Sequence, residues 1–379
     1  MISAALSEYL NELKDQGLTR KRLSVNENGA DERVNFSSSD YLSLTQDPRI
    51  KKAFQKGFNN YSTGSGGSMV ICGYHESHRT LERAFAEALK ADDALLFSSG
   101  YTANLGIIAL LAQFNAQIII DKAAHASFYD GLRMSGCDFN RYLPNNLSSL
   151  AKILPTRATN PVVISESVFS MSGQATELSQ LSKICANFDA DCIIDEAHAF
   201  GVFGPQGLGG VVQHGLNQDQ IPLRIVPLGK AFAFQGAMVV GKSDWIEGLL
   251  QLARSHRYST AVSPALAYGL TETLSIIRAA DDRRQKLYDL IIYFQSLQKI
   301  SSLTWRDSST PIQQLQLGCP IQALECSSYL SSKGIFCQAM RAPTVSKKET
   351  GLRVLLNYHH SQEDIDRLFS LLHQFFNKE

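Results

Sequence analysis

Short apolar runs alternate with amphipathic stretches through the middle of the chain. The runs are two to four residues long and lie at 94–97, 117–120, 162–164, 192–194, 225–226 and 237–240. Apolar residues at helical spacing separate several of them, for example at 103–112 and 177–187. Apolar strands that alternate with helices are typical of a parallel sheet covered on both faces. The pattern therefore predicts an α/β fold with a mostly parallel central sheet.

Amphipathic patterns on either side of this region predict further elements. Residues 1–23 place leucines at helical spacing among acidic residues, and a Gly/Ser-rich segment at 61–78 precedes a helix through Leu81 and Leu89. After Pro264 the patterns change, with helices at 265–278, 282–300 and 363–376 and weaker strands near 310–317 and 334–338. We expect an N-terminal helical arm at 1–45, a large α/β domain at 46–270 and a smaller C-terminal α+β domain at 271–379.

Composition excludes several classes of function. Thirty-six basic residues balance 36 acidic ones, which argues against a nucleic acid or an acidic membrane surface as partner. The longest apolar runs, such as 106–112, are far shorter than a membrane span, and the N-terminus lacks the basic start of a leader peptide. Seven cysteines form no C-x-x-C pair, as in a protein with reduced thiols. We expect a cytoplasmic protein.

Polar residues stand at the ends of the predicted strands, where ligands bind in sheets of this kind. Asp195 ends one apolar run, with His198 three residues later, and Lys230 closely follows another run. A carboxylate can hold a pyridine nitrogen protonated, and a lysine amine can carry pyridoxal phosphate as a Schiff base. Asp195 and Lys230 therefore predict a site for this cofactor.

Two further segments supply what such a cofactor needs. Residues 99–102 open the helix predicted at 103, and the N–H groups of a helix N-terminus suit a phosphate. His125 lies four residues after the strand end at Asp121, from where its imidazole can stack on the ring. A Ser-Gly pair is more often a simple helix cap, and a lone histidine is more often structural. Their shared placement at strand ends favours the cofactor site.

Other motif matches point to different chemistry and are weaker. Residues 236–243 match the phosphate-loop pattern, and residues 195–198 spell the DEAH of helicases. Residues 237–240 form an apolar strand pattern, whereas a phosphate loop needs glycine-rich backbone. In addition, the acidic motif precedes the loop match, which is the reverse of the order in helicases. His75 and His78 form an H-x-x-H pair without further ligands nearby, so we predict no metal site.

Motifs along almost the whole chain resemble those of the α-oxoamine synthases, which are pyridoxal phosphate enzymes of fold type I with an aspartate aminotransferase-like fold. The matching segments are Asp40-Tyr41-Leu42, GSGGS (64–68), SSGYTAN (98–104), DKAAHAS (121–127), ESVFSMSG (166–173), DEAHAFGVFGPQGLGG (195–210), GKAFAFQGA (229–237), YST (258–260) and RAPTV (341–345). The resemblance implies this fold and pyridoxal 5'-phosphate as the cofactor.

The resemblance also implies roles for residues of the catalytic centre. Lys230 would form the Schiff base and later move the proton at the α-carbon of the substrate. Asp195 would pair with the pyridine nitrogen and His198 with the phenolic oxygen. His125 would stack on the ring and contact the substrate.

Further cofactor contacts follow from the same resemblance. Ser170 would lie near the cofactor, while Gly100 and Tyr101 would bind its phosphate. Thr260 would reach the phosphate from the partner subunit, which implies a homodimer with active sites at its interface.

The implied substrates are an amino acid and an acyl thioester. Arg353 would bind the amino-acid carboxylate, a task that suits its bidentate guanidinium, and Arg20, Ser39 and Thr344 match substrate-contacting positions. The resemblance implies decarboxylative condensation of L-alanine with a pimeloyl thioester of CoA or an acyl carrier protein, in biotin biosynthesis. Another α-oxoamine synthase, with a different amino acid or thioester, is the alternative. An aminotransferase, a decarboxylase and a non-catalytic relative also remain open.

Several residues depart from the family pattern. Pro227 stands three residues before Lys230, where the family usually has a hydroxyl that reaches the phosphate. Proline offers neither hydroxyl nor N–H. Ser39 replaces a common asparagine. These changes bear on cofactor affinity and substrate identity, and Pro227 favours a relative that binds the cofactor weakly.

Overall fold

The computed structural model describes residues 2–16, 18–20, 22, 33–154, 160–342 and 344–377. Residues 1, 17, 21 and 23 of the helix predicted at 1–23, and Pro343 of the RAPTV motif, lie outside this description. The chain divides into two compact units. The larger comprises Ser39–Ser170 and Gln174–Lys286, and the smaller comprises Met1–Ser38, Met171–Gly173 and Leu287–Glu379. The three-part division predicted at 45 and 270 stays a prediction.

Strands and helices alternate along the described residues. The strands are β1 (Val34–Asn35), β2 (Asp93–Phe97), β3 (Gln117–Asp121), β4 (Phe139–Tyr142), β5 (Pro161–Glu166), β6 (Asp191–Asp195), β7 (Leu223–Pro227), β8 (Ala237–Gly241), β9 (Ile312–Gln316), β10 (Ile335–Phe336), β11 (Ala339–Met340) and β12 (Gly351–Leu355). The helices are α1 (Ile2–Asp15), α2 (Pro48–Asn60), α3 (Glu76–Leu89), α4 (Gly100–Gln113), α5 (Ala126–Ser135), α6 (Leu147–Ile153), α7 (Leu178–Asn187), α8 (Gly210–Gln213), α9 (Ser243–Leu252), α10 (Arg254–Arg257), α11 (Pro264–Arg278), α12 (Asp281–Ile300), α13 (Pro320–Ser332) and α14 (Gln362–Phe376). Short 3-10 turns occur at Pro205–Gly207 and Lys347–Glu349.

A seven-stranded sheet forms the centre of the larger unit, in the order β2-β8-β7-β6-β5-β3-β4. Neighbours from β7 to β4 run parallel, while β8 is antiparallel to both β2 and β7. The prediction of a mostly parallel sheet is confirmed, and all six predicted runs lie in its strands. The run at 237–240 is part of β8, so the apolar strand predicted there is confirmed and the phosphate-loop interpretation is wrong.

The sheet is covered on both faces because successive residues of a strand point to opposite sides. Ile118 and Ile120 join a core cluster with α4, α5 and α9, whereas Ile119 joins the cluster with α6 and α7. All three side chains are fully buried. Burial of one such side chain contributes about 1.5–3 kcal/mol, so the two clusters hold the strand ends firmly in register.

Predicted helices are largely confirmed, with one error at the N-terminus. The patterns at 103–112, 177–187 and 265–278 fall within α4, α7 and α11 or their caps. The helix predicted at 1–23 ends at Asp15. Residue 17 is glycine, which disfavours continuation of a helix, and no described side chain of α1 is buried to favour a longer one.

The smaller unit contains a three-stranded antiparallel sheet in the order β11-β12-β9 and a parallel pair of β1 with β10. Helices α13 and α14 accompany these strands, and α12 contains the boundary at residue 286. The weaker strands predicted near 310–317 and 334–338 are therefore confirmed. None of the helices in the described ranges has the length and apolar character that a bilayer span requires.

Candidate active site

A cavity of about 230 Å³ lies at the carboxyl ends of β5, β6 and β7 in the larger unit. The predicted residues that line it are Gly100, Tyr101, His125, Ser170, Asp195, His198 and Lys230. A larger cavity of about 740 Å³ lies at the amino ends of β5 and β6, beside Pro161 and Asp191. Its described walls include no lysine, arginine or histidine, so the smaller cavity is the better candidate for chemistry.

Asp195 ends β6 at the base of this cavity and is buried. Its Oδ1 accepts a hydrogen bond from the Ala197 N–H at 2.9 Å, and its Oδ2 accepts one from Asn104 Nδ2 at 3.4 Å. Burial raises the pKa of Asp195, and the nearby Lys230 charge opposes that rise. The carboxylate is therefore positioned by two donors and can accept a further hydrogen bond from a ligand.

Lys230 lies on the tight connection between antiparallel β7 and β8. The connection is closed by hydrogen bonds from Leu228 N–H to the Gly236 carbonyl and from Phe234 N–H to the Leu228 carbonyl, each 2.9 Å long. The Lys230 carbonyl accepts from Ala233 N–H at 2.8 Å, and Ala233 adopts the left-handed conformation with φ of 61°. This compact turn presents the half-buried lysine to the cavity.

His125 caps the start of α5 and is held on both sides. Its Nδ1 lies 2.8 Å from Ser127 Oγ. The buried Asp121 carboxylate at the end of β3 accepts from Ala123 N–H at 2.7 Å and so shapes the loop that carries His125. Desolvation by the surrounding walls lowers the pKa of His125, although the residue stays exposed toward the cavity mouth. A neutral imidazole at this place can stack on a flat ring.

His198 is buried, and its Nδ1 lies 2.6 Å from the hydroxyl of Tyr41. The two rings meet edge to face, with centroids 6.0 Å apart. Tyr41 is fully buried although the sequence around it predicts a polar loop. Tyr41 has no predicted role at the site, and the signal for it in the sequence is its place in the Asp40-Tyr41-Leu42 motif.

The start of α4 forms one wall of the cavity. Ser99 Oγ accepts from Thr102 N–H and Thr102 Oγ1 accepts from Ser99 N–H, each at 3.1 Å, in a capping box. The other N–H groups of a first turn have no intrahelical partner, so they suit an anion. A Cβ added to Gly100 would come within 2.9 Å of Pro227 Cγ, which shows that the proline ring packs against this helix start. Tyr101 donates from its hydroxyl to Asp130 at 2.7 Å.

Glu166 and Asn104 also line the cavity, although neither has a role predicted from the sequence. Glu166 ends β5 and is the direct neighbour of Asp195 in the parallel ladder. Asn104 donates to Ser127 Oγ at 3.0 Å as well as to Asp195, so it ties the His125 loop to the carboxylate. Glu166 stood among the polar strand ends in the sequence, which was the signal for it.

These residues fit pyridoxal phosphate. The buried Asp195 can pair with a protonated pyridine nitrogen, and Lys230 supplies a primary amine within the same cavity. The first turn of α4 offers N–H groups for a phosphate, and His125 offers a flat ring. A carboxylate, an amine, an anion site and an imidazole thus line one pocket.

Two predicted residues of the larger unit do not line this cavity. The Ser39 carbonyl accepts from Tyr41 N–H at 2.9 Å, so Ser39 belongs to the turn that carries Tyr41. Thr260 pairs with Ser68 in an isolated antiparallel bridge, and the adjacent Ala261 N–H donates to the Gly67 carbonyl at 2.9 Å. The YST and GSGGS motifs are therefore neighbours within the larger unit.

The remaining predicted residues belong to the smaller unit. Arg20 donates to the Ala342 carbonyl and to Thr344 Oγ1, both at 3.2 Å. Arg20 and Thr344 border a cavity of about 710 Å³ that Arg33 and Arg341 also line. Arg353 lies in the middle of β12, opposite Gln314 of β9.

His75 and His78 serve the local structure. The His75 N–H donates to Nδ1 of buried His78 at 3.0 Å, and Nε2 of His78 lies 2.6 Å from the Val262 carbonyl. Among the residues that the structure describes, no three His, Cys, Asp or Glu side chains are grouped as metal ligands would be.

Comparison with known proteins identifies the family and the relatives of this chain. The family model for class I and II aminotransferases matches residues 31–372. A protein of Photobacterium profundum named 8-amino-7-oxononanoate synthase is 37% identical over 388 residues, covering 99% of this chain and 97% of the relative.

Two solved structures resemble this protein over most of its length. The crystal structure of 8-amino-7-oxononanoate synthase from Francisella tularensis has a TM-score of 0.82 at 30% identity and covers 92% of this chain and 99% of that one. Sphingomonas wittichii serine palmitoyltransferase has a TM-score of 0.89 over 99% of this chain and 97% of its own, but at 23% identity it supports the fold alone. The fold type predicted from the motifs is confirmed. The chain belongs to the class I and II aminotransferase family and, within it, to the α-oxoamine synthases.

Proposed function

We propose that the protein condenses L-alanine with a pimeloyl thioester in biotin biosynthesis. The products are 8-amino-7-oxononanoate, carbon dioxide and the free thiol carrier, either CoA or an acyl carrier protein. The relative from Photobacterium profundum, which spans nearly the whole chain, bears the name of this activity. The observation that carries the proposal is the joint presence of Lys230, Asp195 and His125 in one cavity at the strand ends.

Pyridoxal phosphate, when bound, supplies an electron sink for negative charge at the α-carbon of the amino acid. Lys230 removes the proton from that carbon and later returns it, since it is the lysine that lines the described cavity. Asp195 keeps the pyridine nitrogen protonated. Hydrogen bonds from Ala197 and Asn104 fix the position of the Asp195 carboxylate. Because the site is buried, its electrostatic effect on the pyridine nitrogen is strong.

The walls of the cavity orient the reacting groups. His125 covers one ring face and helps to exclude water, held by Ser127 and the Asp121 loop. His198, fixed by Tyr41, directs its other ring nitrogen to the phenolic oxygen. Gly100, Tyr101 and Ser170 complete the cofactor contacts.

Substrate recognition is assigned by the resemblance to the family. Arg353 binds the amino-acid carboxylate with its paired donors. Arg20, Thr344 and Ser39 contact substrate, and the hydrogen bond of 3.2 Å between Arg20 and Thr344 supports a shared role for these two. Loss of the thioester bond and of carbon dioxide makes the condensation favourable in the forward direction.

A homodimer completes the proposed active site. Thr260 of the partner subunit contacts the phosphate, and the loop beside it carries exposed apolar side chains. Ile71 is 81% exposed and Tyr258 is 66% exposed, as expected of surfaces that a second copy covers. Light scattering of the purified protein measures this association.

The proposed location is the cytoplasm. All seven cysteines carry free thiols in the structure, which suits a reducing compartment. The substrates are small molecules and an acyl carrier, and the balanced charge of the chain gives no attraction to nucleic acid or membrane.

One experiment tests the function. Purified protein is given pyridoxal phosphate and pimeloyl-CoA with alanine, glycine or serine in turn, and carbon dioxide, free thiol and the aminoketone are measured. We expect turnover with alanine well above the other two. A clear preference for glycine or serine contradicts the proposed substrate.

Two lysine variants test the site. Lys230→Ala removes the amine in the cavity and is expected to abolish turnover and the visible absorbance of the bound cofactor. Lys242→Ala is the control, because Lys242 lies outside the cavity, 3.5 Å from Asp219. Equal losses in both variants would show that Lys230 has no special role.

A further inference from the structure

Two carboxyl groups stand side by side at the base of the cavity. Glu166 ends β5 and Asp195 ends β6, and the two residues are partners in the parallel ladder. Both are buried, with 2% and 4% of their surface exposed, and both line the cavity. Two buried carboxylates this close repel each other when both are ionised, so one of them holds a proton.

Hydrogen bonding decides which carboxyl group keeps the charge. Asp195 accepts from Ala197 N–H and from Asn104 Nδ2, and the Lys230 charge favours its ionised form. Glu166 has one weaker donor nearby, the backbone N–H of His125, which lowers the pKa of its carboxyl group. Its Oε1 meets no hydrogen-bonding group in the part of the chain that the structure describes. The carboxyl group with fewer donors is the one that takes the proton.

The surrounding charges also favour the protonated form of Glu166. Burial and the charge of Asp195 raise the pKa of Glu166 well above its ordinary value. Asp121 at the end of β3 raises it further, and Lys230, on the turn after β7, opposes this. Tyr129 of α5 also faces Glu166, and burial raises the pKa of that phenol to about 12, so it stays neutral.

We propose that Glu166 acts as a neutral carboxylic acid that positions His125 and leaves the negative charge on Asp195. One oxygen accepts the His125 N–H and fixes the point where the ring-covering loop enters α5. The other oxygen carries the proton into the cavity, where it donates to the bound ligand. Glu166 is a positioning residue in this arrangement, since it acts through His125 and Asp195. The inference rests on the proposed binding of pyridoxal phosphate.

Three variants distinguish the charge of Glu166 from its hydrogen bonding to His125 and from the general effect of a buried carboxyl group. Glu166→Gln keeps an acceptor and a donor but cannot ionise, so it mimics the neutral acid. Glu166→Leu removes the acceptor for His125. Glu82→Gln is the matched control, because Glu82 is also a buried carboxyl with a pKa raised by burial, to about 7, and it does not line the cavity.

Three readouts are needed for each protein. They are the affinity of the cofactor-free form for pyridoxal phosphate, the apparent pKa of the visible absorbance of the bound cofactor, and the melting temperature without cofactor. We expect Glu166→Gln to match the wild type within about twofold in affinity and about 0.3 in apparent pKa. Glu166→Leu is expected to bind the cofactor about tenfold more weakly, because the His125 N–H loses its acceptor.

Two outcomes overturn the inference. A drop of about one unit or more in the apparent pKa for Glu166→Gln would mean that Glu166 is an anion in the wild type. Unchanged affinity in Glu166→Leu would mean that Glu166 positions nothing. If the leucine variant does not fold, Glu166→Asp replaces it, because its shorter side chain cannot reach the His125 N–H and the same tenfold loss is expected.

Failure of the inference differs from failure of the proposed function. If the wild type and the Glu82→Gln control do not bind pyridoxal phosphate, the cofactor assignment is wrong. If they bind it and the Glu166 variants behave against expectation, only the role of Glu166 is wrong.

Discussion

The hydrogen bond between Tyr41 and His198 can be tested by removing a single oxygen atom. Tyr41→Phe keeps the ring, which is fully buried, and deletes the hydroxyl 2.6 Å from His198 Nδ1. A neutral hydrogen bond contributes about 0.5–1.5 kcal/mol, and a buried group left without its partner costs about 1–3 kcal/mol. We expect the free energy of unfolding to fall by about 1–2 kcal/mol.

The same change affects the chemistry of His198. When Tyr41 donates to Nδ1, the proton of the neutral imidazole stays on Nε2, which can then donate to an oxygen of the cofactor. Without the hydroxyl this preference for the Nε2 tautomer is lost, and the ring is held less firmly. A loss of about 1–2 kcal/mol at this contact corresponds to about fivefold to thirtyfold weaker cofactor binding.

The assay combines urea unfolding of the cofactor-free protein with titration of pyridoxal phosphate. Tyr74→Phe is the control, because it deletes a hydroxyl that donates to buried Glu82 at 2.7 Å outside the cavity. The control is expected to lose stability and to keep its cofactor affinity. The reasoning about His198 fails if Tyr41→Phe and Tyr74→Phe lose stability alike and both bind the cofactor as the wild type does.

Three further predictions concern the larger unit. Glu196→Gln should lower the free energy of unfolding by about 3–5 kcal/mol in a urea titration, because buried Arg224, at 2.8 Å, loses its counter-charge. Glu82 has its pKa raised from 4.5 to about 7 by burial, so the folded state binds the extra proton. Its contribution to stability is full below about pH 4.5 and falls, by on the order of 3 kcal/mol, as pH rises to about 7. Glu82→Gln should flatten this part of the pH–stability curve, and an equal slope would contradict the assignment. Gly100→Ala should weaken cofactor binding because its Cβ would meet Pro227 Cγ at 2.9 Å, and the double variant with Pro227→Ala should recover affinity in the same titration.

The sheet was predictable because each central strand is apolar on both faces. Periodicity cannot distinguish strand directions, so the antiparallel placement of β8 between β2 and β7 did not follow from the pattern. Strand β4 was missed because its sequence is FNRY and two of its residues are exposed at the sheet edge. Packing against β3, rather than local propensity, makes it a strand.

The candidate site was predictable where a reactive side chain stands at the end of a predicted strand. Asp195, Lys230 and His125 stand out because a charged or imidazole side chain closely follows an apolar run. Tyr41 could not be recognised in this way, since its partner His198 is 157 positions away and the contact depends on tertiary folding. Glu166 was visible as a strand end, but its pairing with Asp195 became clear only from the register of β5 and β6.

Pro227 limits which groups can donate hydrogen bonds to a phosphate at this end of the cavity. It is the last residue of β7, so its missing N–H costs the sheet little, and its ring packs against Gly100 at the start of α4. Because it cannot donate a hydrogen bond, the donors of this wall must come from the first turn of α4 and, in the proposed homodimer, from the partner subunit. The capping box already engages the hydroxyls of Ser99 and Thr102. Affinity for a phosphate therefore depends on backbone N–H groups, whose position is set by the contact of the proline ring with Gly100.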